Sequence, residues 1–364
     1  MTFRKKYLAL VGCGRISKSH ISSIINNHKR CKLVAICDNS KNKLDDAINF
    51  IKDEYLKNKL KINIPKIFLK YEDLLNAFYE KNLFLDLIIL ATPSGYHPSQ
   101  TIKAAKLGIN ICTEKPMALN LKDAREMVEF CNERKIKLFV VKQNRLNPTL
   151  QDLREKIKKN MFGDIALITI NVFWQRPQEY YDQDEWRGTK KLDGGALMNQ
   201  AIHYVDLLEW LGGRISSISA FTSTRKRNIE TEDTAVMSIK WEVGTLGSMN
   251  VTMLTYPKNL EGSITIIGDK GSAKIGGIAL NNYDFFHFEK KIEHSEILNK
   301  NYLPKNVYGE GHLKYYSNML DVLEGKDKAI CSGDDALSSI KIICAAHKSF
   351  NEKRIIDLNT EMDL

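Results

Sequence analysis

YLALVGCGRIS, residues 7–17, is an apolar run that ends in a glycine-rich turn. The run predicts a buried strand, and residues 18–27 after the turn are expected to form a helix. Gly12 would allow the tight turn out of the strand, and Gly14 would let a pyrophosphate approach the backbone. The third glycine of the dinucleotide-binding fingerprint is Ser17 here. This order predicts a βαβ nucleotide-binding unit, although ordinary strand-to-helix turns also carry glycine pairs.

A second apolar run, residues 33–37, ends in Asp38. An acidic residue about 20 residues beyond the glycine turn is placed to accept hydrogen bonds from an adenosine ribose. Its carboxylate repels a 2′-phosphate and so favours NAD over NADP, whereas Lys41 and Lys43 nearby leave NADP open. Arg15 and Ile16 belong to the turn and are expected to contact the cofactor as well.

Composition bounds the class of protein. Of the 364 residues, 43% are hydrophobic and 27% are charged, as in an ordinary soluble globular protein of two domains. The net charge of +10 is dispersed among acidic residues, so it indicates a lysine-rich surface and no nucleic-acid partner. Seven cysteines without CxxC spacing argue against disulfides and zinc, and no apolar run is long enough for a signal peptide or a membrane span. We therefore expect a cytoplasmic protein without a metal site or a membrane contact.

The pattern of elements changes near residue 145. Before it, strands alternate with helices, which predicts an α/β Rossmann domain with a doubly wound parallel sheet over residues 1–145. Residues 146–364 instead contain stretches that alternate between apolar and polar side chains, and they predict an α+β domain with an open-faced, mostly antiparallel sheet. The alternating stretches are 165–174, 215–224, 234–241, 247–254, 263–268 and 272–275. Helices are expected at 199–211, 311–323 and 335–351.

Ligands in doubly wound sheets bind beyond the carboxyl ends of the strands. Several polar stretches of the first domain fall at such ends, which makes this edge the expected cofactor site. Besides the glycine turn and Asp38, the residues expected there are Thr92, Pro93, His97, Glu114, Lys115 and Gln143. Packing within the loop is an equally good explanation for His97.

Two residues carry the expected chemistry. Lys115 follows a strand, where an ammonium could bond a substrate hydroxyl and stabilise the alkoxide that develops as hydride leaves. His203 has an ordinary pKa near neutrality and is the candidate general base. Asn199, His203 and Asp206 lie at helical spacings of four and three, so a histidine that merely bonds Asp206 at the edge of the core remains the alternative.

VGCGRIS, Asp38, ATPSGYH, TEKP and the pattern GG…H..D resemble the glucose–fructose oxidoreductase/inositol dehydrogenase (Gfo/Idh/MocA) family over nearly the whole chain. The resemblance implies a Rossmann domain, a sheet domain that forms dimers or tetramers, a nicotinamide cofactor, and a sugar or cyclitol substrate. It also implies that Lys115 and His203 act at the reacting hydroxyl. Family members commonly have aspartate four residues before this histidine, where Asn199 stands here. An amide cannot take a proton, so His203 is left as the base and Asn199 as a substrate-positioning residue.

A narrower resemblance is carried by KQNRLNPTLQ, NVFWQRPQEYYDQDEWRGT, GGALMNQAIHYVDLLEWL and NVTMLTYPKNLEGSITIIG. These stretches are similar to the UDP-N-acetyl-2-amino-2-deoxyglucuronate dehydrogenases of bacterial O-antigen and capsule pathways. The resemblance implies oxidation of the 3″-hydroxyl of the uronate to a ketone, which an aminotransferase then uses. It also implies 2-oxoglutarate as one means of reoxidising bound NADH.

Such a substrate has a carboxylate that would need a partner in a closed site. The aromatic and arginine density of residues 173–187 suits a sugar nucleotide, because rings stack on sugar or base and guanidinium groups pair with anions. The candidates for that carboxylate are Arg145, Arg176 and Arg187, with Asn147, Tyr308 and His312 as uncharged partners. An amphipathic loop that packs on the sheet is the alternative for this stretch.

Three other functions remain open on the sequence. Another sugar or inositol dehydrogenase of the same family would use the same residues on a different hydroxyl. An NAD-dependent glycosidase would oxidise C3 transiently and release free sugar without net NADH. A non-catalytic sensor of NAD or a sugar nucleotide would not need both Lys115 and His203.

Overall fold

The computed structural model describes residues 4–291, 293, 295, 299–304 and 311–361. The chain separates into two compact units. The first unit comprises Met1–Ala118, Asp123–Val141 and His312–Ala336. The second comprises Leu119–Lys122, Lys142–Gly311 and Leu337–Leu364. Residues 312–336 thus belong to the first unit, whereas the sequence pattern groups them with the second domain.

The first unit is built on a six-stranded parallel sheet in the order β3-β2-β1-β4-β5-β6. Its strands are β1 (Lys6–Val11), β2 (Cys31–Cys37), β3 (Lys66–Phe68), β4 (Leu87–Leu90), β5 (Asn110–Thr113) and β6 (Leu138–Val140). The intervening helices are α1 (Ser17–Asn26), α2 (Lys41–Lys57), α3 (Tyr71–Tyr79), α4 (His97–Lys106) and α5 (Leu121–Glu133). Every residue of β4 is buried, as expected for a strand covered on both faces. The strand order reverses between β1 and β4, and such a switch point is where these sheets bind ligands.

The second unit is built on an eight-stranded sheet in the order β13-β12-β11-β7-β10-β9-β8-β14. Its strands are β7 (Ile165–Phe173), β8 (Ile215–Ser223), β9 (Thr234–Trp241), β10 (Leu246–Thr252), β11 (Glu261–Gly268), β12 (Gly271–Gly276), β13 (Asn282–Phe288) and β14 (Ile356–Asp357). All neighbours pair antiparallel except β7 and β10, which are parallel. The remaining helices of the described chain are α6 (Pro148–Lys158), α7 (Gln178–Asp182), α8 (Ile202–Gly212), α9 (Gly311–Leu323) and α10 (Gly333–Glu352).

Alternation along the strands decides which face of this sheet is covered. In β9, Ala235, Met237, Ile239 and Trp241 are buried, whereas the residues between them are exposed. One side of the sheet therefore packs on the core and the other stays open, as the period of two predicts. The predicted fold class, a Rossmann domain followed by a mostly antiparallel sheet domain, is confirmed. Within the described residues no helix is long and apolar enough to cross a membrane.

Candidate active site

The glycine turn between β1 and α1 has the geometry that the sequence predicts. Gly12 adopts a φ of +96°, and a Cβ there would lie 2.4 Å from the carbonyl oxygen of Ala91. Gly14 has nothing within 4 Å of its would-be Cβ, so the space beside its backbone is open. Helix α1 follows with Ile16 at its N-cap, no side-chain cap bond and no acidic residue in its first turn. An uncapped helix N-terminus behind an open glycine backbone fits a pyrophosphate group.

Asp38 lies at the end of β2 and holds this turn. Its Oδ2 accepts the N–H of Cys13 at 2.8 Å, and its Oδ1 accepts the N–H of Ser40 at 2.9 Å. A carboxylate oxygen can accept more than one hydrogen bond, so these contacts leave acceptor capacity for ribose hydroxyls. The ribose role of Asp38 stays a prediction, and its role in shaping the turn is an addition to it.

His97 joins the two loops that follow β4 and β5. The ring is 0% exposed, with Nδ1 at 2.8 Å from the Pro116 carbonyl oxygen and Nε2 at 2.9 Å from the Thr92 carbonyl oxygen. Burial lowers the pKa of His97, which favours the neutral ring. Both nitrogens face backbone, so the structure supports the loop-packing alternative for His97 and gives no support to a cofactor contact. Thr92 follows Ala91 in the loop after β4, and its hydroxyl donates to Gln100 Oε1 at 2.7 Å.

Glu114, the residue before Lys115, is buried although it lies in the loop that follows β5. Its Oε1 lies 3.1 Å from His20 Nε2 and 3.8 Å from His312 Nε2, and its Oε2 accepts the Lys115 N–H at 3.2 Å. Burial alone would raise the pKa of Glu114, but the hydrogen bond from His20 and the close approach of His312 lower it well below its ordinary value. His312, predicted to meet the substrate, thus pairs with Glu114 in the first unit.

In the second unit, Asp206 on α8 is the centre of a buried ion cluster. Arg145 donates to it twice, from Nε at 2.7 Å and from Nη2 at 2.8 Å, and Lys142 Nζ lies 3.5 Å from its Oδ1. Burial would raise the pKa of Asp206, but the charges of Lys142 and Arg145 lower it. The prediction that Arg145 pairs a substrate carboxylate therefore meets a competitor, because the protein supplies a carboxylate of its own.

His203 lies one turn before Asp206 on the same helix and is 8% exposed. Its Nε2 lies 3.3 Å from the amide nitrogen of Gln143, the residue that was predicted to contact the cofactor. An amide nitrogen only donates, so Nε2 faces it with a lone pair. The neutral ring then has its proton on Nδ1, and Nε2 can take a proton only when the Gln143 amide no longer faces it, so the base role of His203 stays a prediction.

The backbone before α8 is irregular, and the predicted helix 199–211 is wrong at its start. Residues Ala196–Gln200 form a π-helical turn, and the α-helix begins only at Ile202. Gly195 precedes the turn with a φ of +95°, and a Cβ there would lie 2.5 Å from Glu232 Oε2. Such turns are frequent at functional sites, and this one places Asn199 beside Asp193, whose Oδ1 accepts from the Asn199 amide.

The predicted aromatic and arginine stretch forms one connected cluster around Tyr180. Arg187 Nη1 donates to the Tyr180 hydroxyl at 2.6 Å, Gln200 Nε2 donates to it at 2.9 Å, and Arg176 Nε donates to Gln200 Oε1 at 2.9 Å. The Arg187 and Arg176 guanidinium carbons lie 4.4 and 5.4 Å from the ring centroid of Tyr180. The acidic residue bonded here is Asp184, which accepts from Arg187 Nε at 3.1 Å. Arg176 and Arg187 against Asp184 leave a net charge of +1 among these three residues, which favours an anionic ligand.

Two further residues were predicted to meet the substrate, Asn147 and Tyr308. Asn147 is 1% exposed and donates to the Ala279 carbonyl oxygen at 2.8 Å, which gives it a structural bond. Tyr308 lies outside the described residues. Sequence reasoning missed His20, Tyr316, Lys142 and Glu232, because their partners lie far away in the chain. It also missed Asp193 and Gln200, whose bonds to Asn199 and Tyr180 depend on the irregular backbone before α8.

Two solved structures resemble this chain over its whole length. One is the WlbA dehydrogenase from Bordetella pertussis in complex with NADH and UDP-GlcNAcA, which is 42% identical, covers 98% of both chains and gives a TM-score of 0.85. The other is the WlbA dehydrogenase from Chromobacterium violaceum with the same two ligands, which is 41% identical, covers 100% of this chain and 98% of that one, and gives a TM-score of 0.87.

A more distant relative is the D-apiose dehydrogenase of Paraburkholderia graminis, which is 26% identical over 239 residues, or 65% of this chain and 57% of that protein. The chain spans 34 to 57% of the length of three curated relatives that it matches, this one among them.

Two family models match nearly the whole chain. Residues 6–142 match the oxidoreductase family, NAD-binding Rossmann fold, and residues 154–358 match the oxidoreductase family, C-terminal alpha/beta domain. The predicted family, the oxidoreductase class and the NAD cofactor are thereby confirmed. The chain belongs to the Gfo/Idh/MocA oxidoreductase family.

Proposed function

We propose that the protein is an NAD-dependent dehydrogenase that oxidises the 3″-hydroxyl of UDP-N-acetylglucosaminuronate (UDP-GlcNAcA) to a ketone. The observation that carries this proposal is the 41 to 42% identity, over 98 to 100% of this chain, with two dehydrogenases that were solved with NADH and UDP-GlcNAcA. The uncapped N-terminus of α1, the open backbone at Gly14 and the carboxylate of Asp38 fit the dinucleotide.

The proposed reaction moves one hydride and one proton. When bound, NAD⁺ accepts the hydride from C3″ of the sugar. His203 takes the hydroxyl proton at Nε2, where the substrate hydroxyl replaces the Gln143 amide as the partner of the lone pair. The Lys115 ammonium stabilises the oxyanion that develops as the C–H bond breaks. The products are a 3″-keto sugar nucleotide, NADH and a proton.

Besides the reacting hydroxyl, the proposed substrate carries a carboxylate and a diphosphate. The cluster of Arg176, Tyr180 and Arg187 suits both of these anionic groups. Arg176 and Arg187 are half-buried and stack on Tyr180, where a guanidinium keeps its charge with little hydration to lose. Buried Asp206 accepts two bonds from Arg145, whereas Asp184 accepts one bond from Arg187 and its side chain is 26% exposed, so we assign the C6″ carboxylate to Arg176 and Arg187. Asn199 is bonded to Asp193 and is proposed to position the sugar ring. Tyr308 is proposed to contact the substrate as well.

Assembly and context are also part of the proposal. The open face of the eight-stranded sheet presents Phe221, Val236 and Leu246, which are 74, 45 and 56% exposed, and this supports a dimer or tetramer through the sheet. All seven cysteines are free thiols, which suits a reducing cytoplasm. The ketone would feed an aminotransferase in surface-polysaccharide synthesis, and 2-oxoglutarate would serve as reoxidant.

The decisive experiment is reduction of NAD⁺, followed at 340 nm, across a set of candidate substrates. The set contains UDP-GlcNAcA, UDP-N-acetylglucosamine, free aldoses including D-apiose, and myo-inositol. We expect rapid NADH formation with UDP-GlcNAcA, far slower formation with UDP-N-acetylglucosamine and none with free aldoses or myo-inositol. Lys115→Met should lower turnover of UDP-GlcNAcA ~10²–10³-fold. Equal turnover of the uronate and its neutral counterpart would contradict the proposal. Release of free sugar without net NADH would favour the glycosidase alternative.

A further inference from the structure

A buried chain of hydrogen bonds in the first unit ends at the backbone of Lys115. The Tyr316 hydroxyl lies 2.7 Å from His20 Nδ1, and His20 Nε2 lies 3.1 Å from Glu114 Oε1. The other carboxylate oxygen, Glu114 Oε2, accepts the Lys115 N–H at 3.2 Å. Tyr316 and His20 are 0% exposed and Glu114 is 7% exposed, so water does not compete for these bonds.

The protonation states of Tyr316, His20 and Glu114 follow from their burial and from which of their atoms can only accept a hydrogen bond. Burial lowers the pKa of His20, so the ring is neutral near pH 7 and carries one N–H. The ionised Glu114 can only accept, so His20 donates from Nε2, and its Nδ1 must accept from the Tyr316 hydroxyl. Burial raises the pKa of Tyr316 well above its ordinary value, which keeps that hydroxyl protonated. The direction of every bond is therefore fixed, and each runs toward the Glu114 carboxylate.

A second buried side chain holds the other end of the same loop. His97 Nδ1 lies 2.8 Å from the carbonyl oxygen of Pro116, the residue after Lys115. The N–H of Lys115 is thus held by Glu114, and the carbonyl group of Pro116, the next residue, is held by His97. A side chain whose backbone is held on both sides has fewer positions for its terminal group.

We propose that His20 and Tyr316 are positioning residues for catalysis, which act through Glu114 to fix the place of the Lys115 ammonium. This inference rests on the proposed function, because it takes Lys115 as the group that meets the reacting hydroxyl. A displacement of about 1 Å at such a group can cost ~10²-fold in rate. His20 and Tyr316 touch neither substrate nor cofactor in this proposal.

The test compares two neighbouring tyrosines. Tyr316→Phe removes the bond to His20, whereas Tyr315→Phe removes an equally buried bond to the Val140 carbonyl oxygen, also 2.7 Å long. Turnover of UDP-GlcNAcA is measured per NADH-binding site, together with KM, the Kd of NADH and the thermal midpoint. We expect Tyr316→Phe to lower kcat about 10-fold with KM and the Kd of NADH within about twofold, and Tyr315→Phe to keep the wild-type kcat.

His20 variants add a rescue. His20→Leu removes the donor to Glu114 and should lower kcat ~10²-fold, whereas His20→Gln keeps an amide donor near the Nε2 position and should recover most of that loss. In a Lys115→Met background, His20→Leu should cause no further loss, because the group it positions is gone.

Equal kcat values for the two tyrosine variants would overturn the inference, and they do so even if His20→Leu fails to fold. A Lys115→Met enzyme that keeps its turnover would instead contradict the role of Lys115 in the proposed function. An inactive Lys115→Met enzyme beside a fully active Tyr316→Phe enzyme would contradict the positioning inference alone.

Discussion

Arg145 binds Asp206 through two parallel hydrogen bonds, from Nε at 2.7 Å and from Nη2 at 2.8 Å. The side chains of both residues are less than 10% exposed, and Lys142 lies 3.5 Å from the same carboxylate. Breaking a buried pair by removing one partner leaves the other charge poorly compensated. The bidentate bond therefore predicts that Arg145 stabilises the second unit, while its role toward a substrate carboxylate stays a prediction.

We expect Arg145→Met to lower the free energy of unfolding of the second unit by about 3 kcal/mol, since Lys142 compensates Asp206 in part. Arg354 is the matched control, because it pairs with Glu352 at 2.6 Å and with Glu361 at 2.9 Å, yet its side chain is 46% exposed. Arg354→Met should cause little change. All four tryptophans belong to the second unit, so urea unfolding followed by tryptophan fluorescence reports it. Equal urea midpoints for the two variants would mean that the bond between Arg145 and Asp206 contributes little to the stability of the second unit.

Replacing Gly12 by alanine should lower stability, whereas replacing Gly14 by alanine should lower the affinity for NAD⁺. Gly12→Ala places a Cβ 2.4 Å from Ala91 O at a φ of +96°, so it should destabilise the first unit even without cofactor. Gly14→Ala meets no atom within 4 Å, so its thermal midpoint should match that of the wild type. Its Cβ would instead lie where a pyrophosphate approaches, and NAD⁺ binding should weaken at least about 10-fold, or ~1.4 kcal/mol.

Thermal melting without cofactor and calorimetric titration with NAD⁺ separate these two effects. A Gly14→Ala protein with wild-type affinity would show that the dinucleotide does not approach this turn.

Much of the fold follows from the sequence, and the exceptions have physical reasons. Strands β7 to β12 were predicted to within about two residues of each end because one face of each is covered. Strand β13 was missed because its pairing with β12 shifts register between Lys274 and Ile275, so NYDFFHF does not alternate regularly. Strand β14, with two residues, is too short to show any period.

Only those site residues whose positions depend on neighbouring residues in the sequence could be predicted. Lys115 stands at a strand end and His203 on a helix, and both positions follow from neighbouring residues. The partner of His20 is Tyr316, 296 positions along the chain, because residues 312–336 return to the first unit. No period or turn signal in a single sequence records such a return, and the same holds for the bond between Arg145 and Asp206.

Stability should fall as the pH drops below about 6.5, because His20 and His97 are buried and their pKa values are lowered. In the unfolded chain each takes up a proton near its ordinary pKa, whereas in the folded protein each stays neutral to lower pH. The unfolded state thus binds more protons, so the stabilisation is complete above pH 6.5 and is lost as the pH falls toward the folded values. Each histidine can contribute at most ~1.4 kcal/mol per pH unit.

The measurement is the thermal midpoint of the wild type and of His20→Leu between pH 7.5 and pH 5, which is above the range where Glu114 titrates in the wild type. We expect the variant to show a shallower fall with acidification, because one of the two histidines is gone. Tyr315→Phe, which removes no histidine, should keep the wild-type slope. A slope in His20→Leu as steep as that of the wild type would mean that His20 is already protonated in the folded protein, with Glu114, His312 and Tyr316 accommodating the charge.

The last prediction concerns how the two cations on Tyr180 recognise the charge of the sugar. If Arg176 and Arg187 pair the C6″ carboxylate, each Arg→Met variant should lose ~10²-fold or more in kcat/KM for UDP-GlcNAcA, because each ~1.4 kcal/mol of lost transition-state binding is tenfold. Neither should lose as much for UDP-N-acetylglucosamine, whose C6″ group is neutral, so the preference for the uronate should shrink. Arg154→Met is the control, because Arg154 also stacks on an aromatic ring, that of Trp210 at 4.2 Å, outside the cluster. Its uronate preference should equal that of the wild type, and unchanged preferences in the Arg176 and Arg187 variants would place the carboxylate elsewhere.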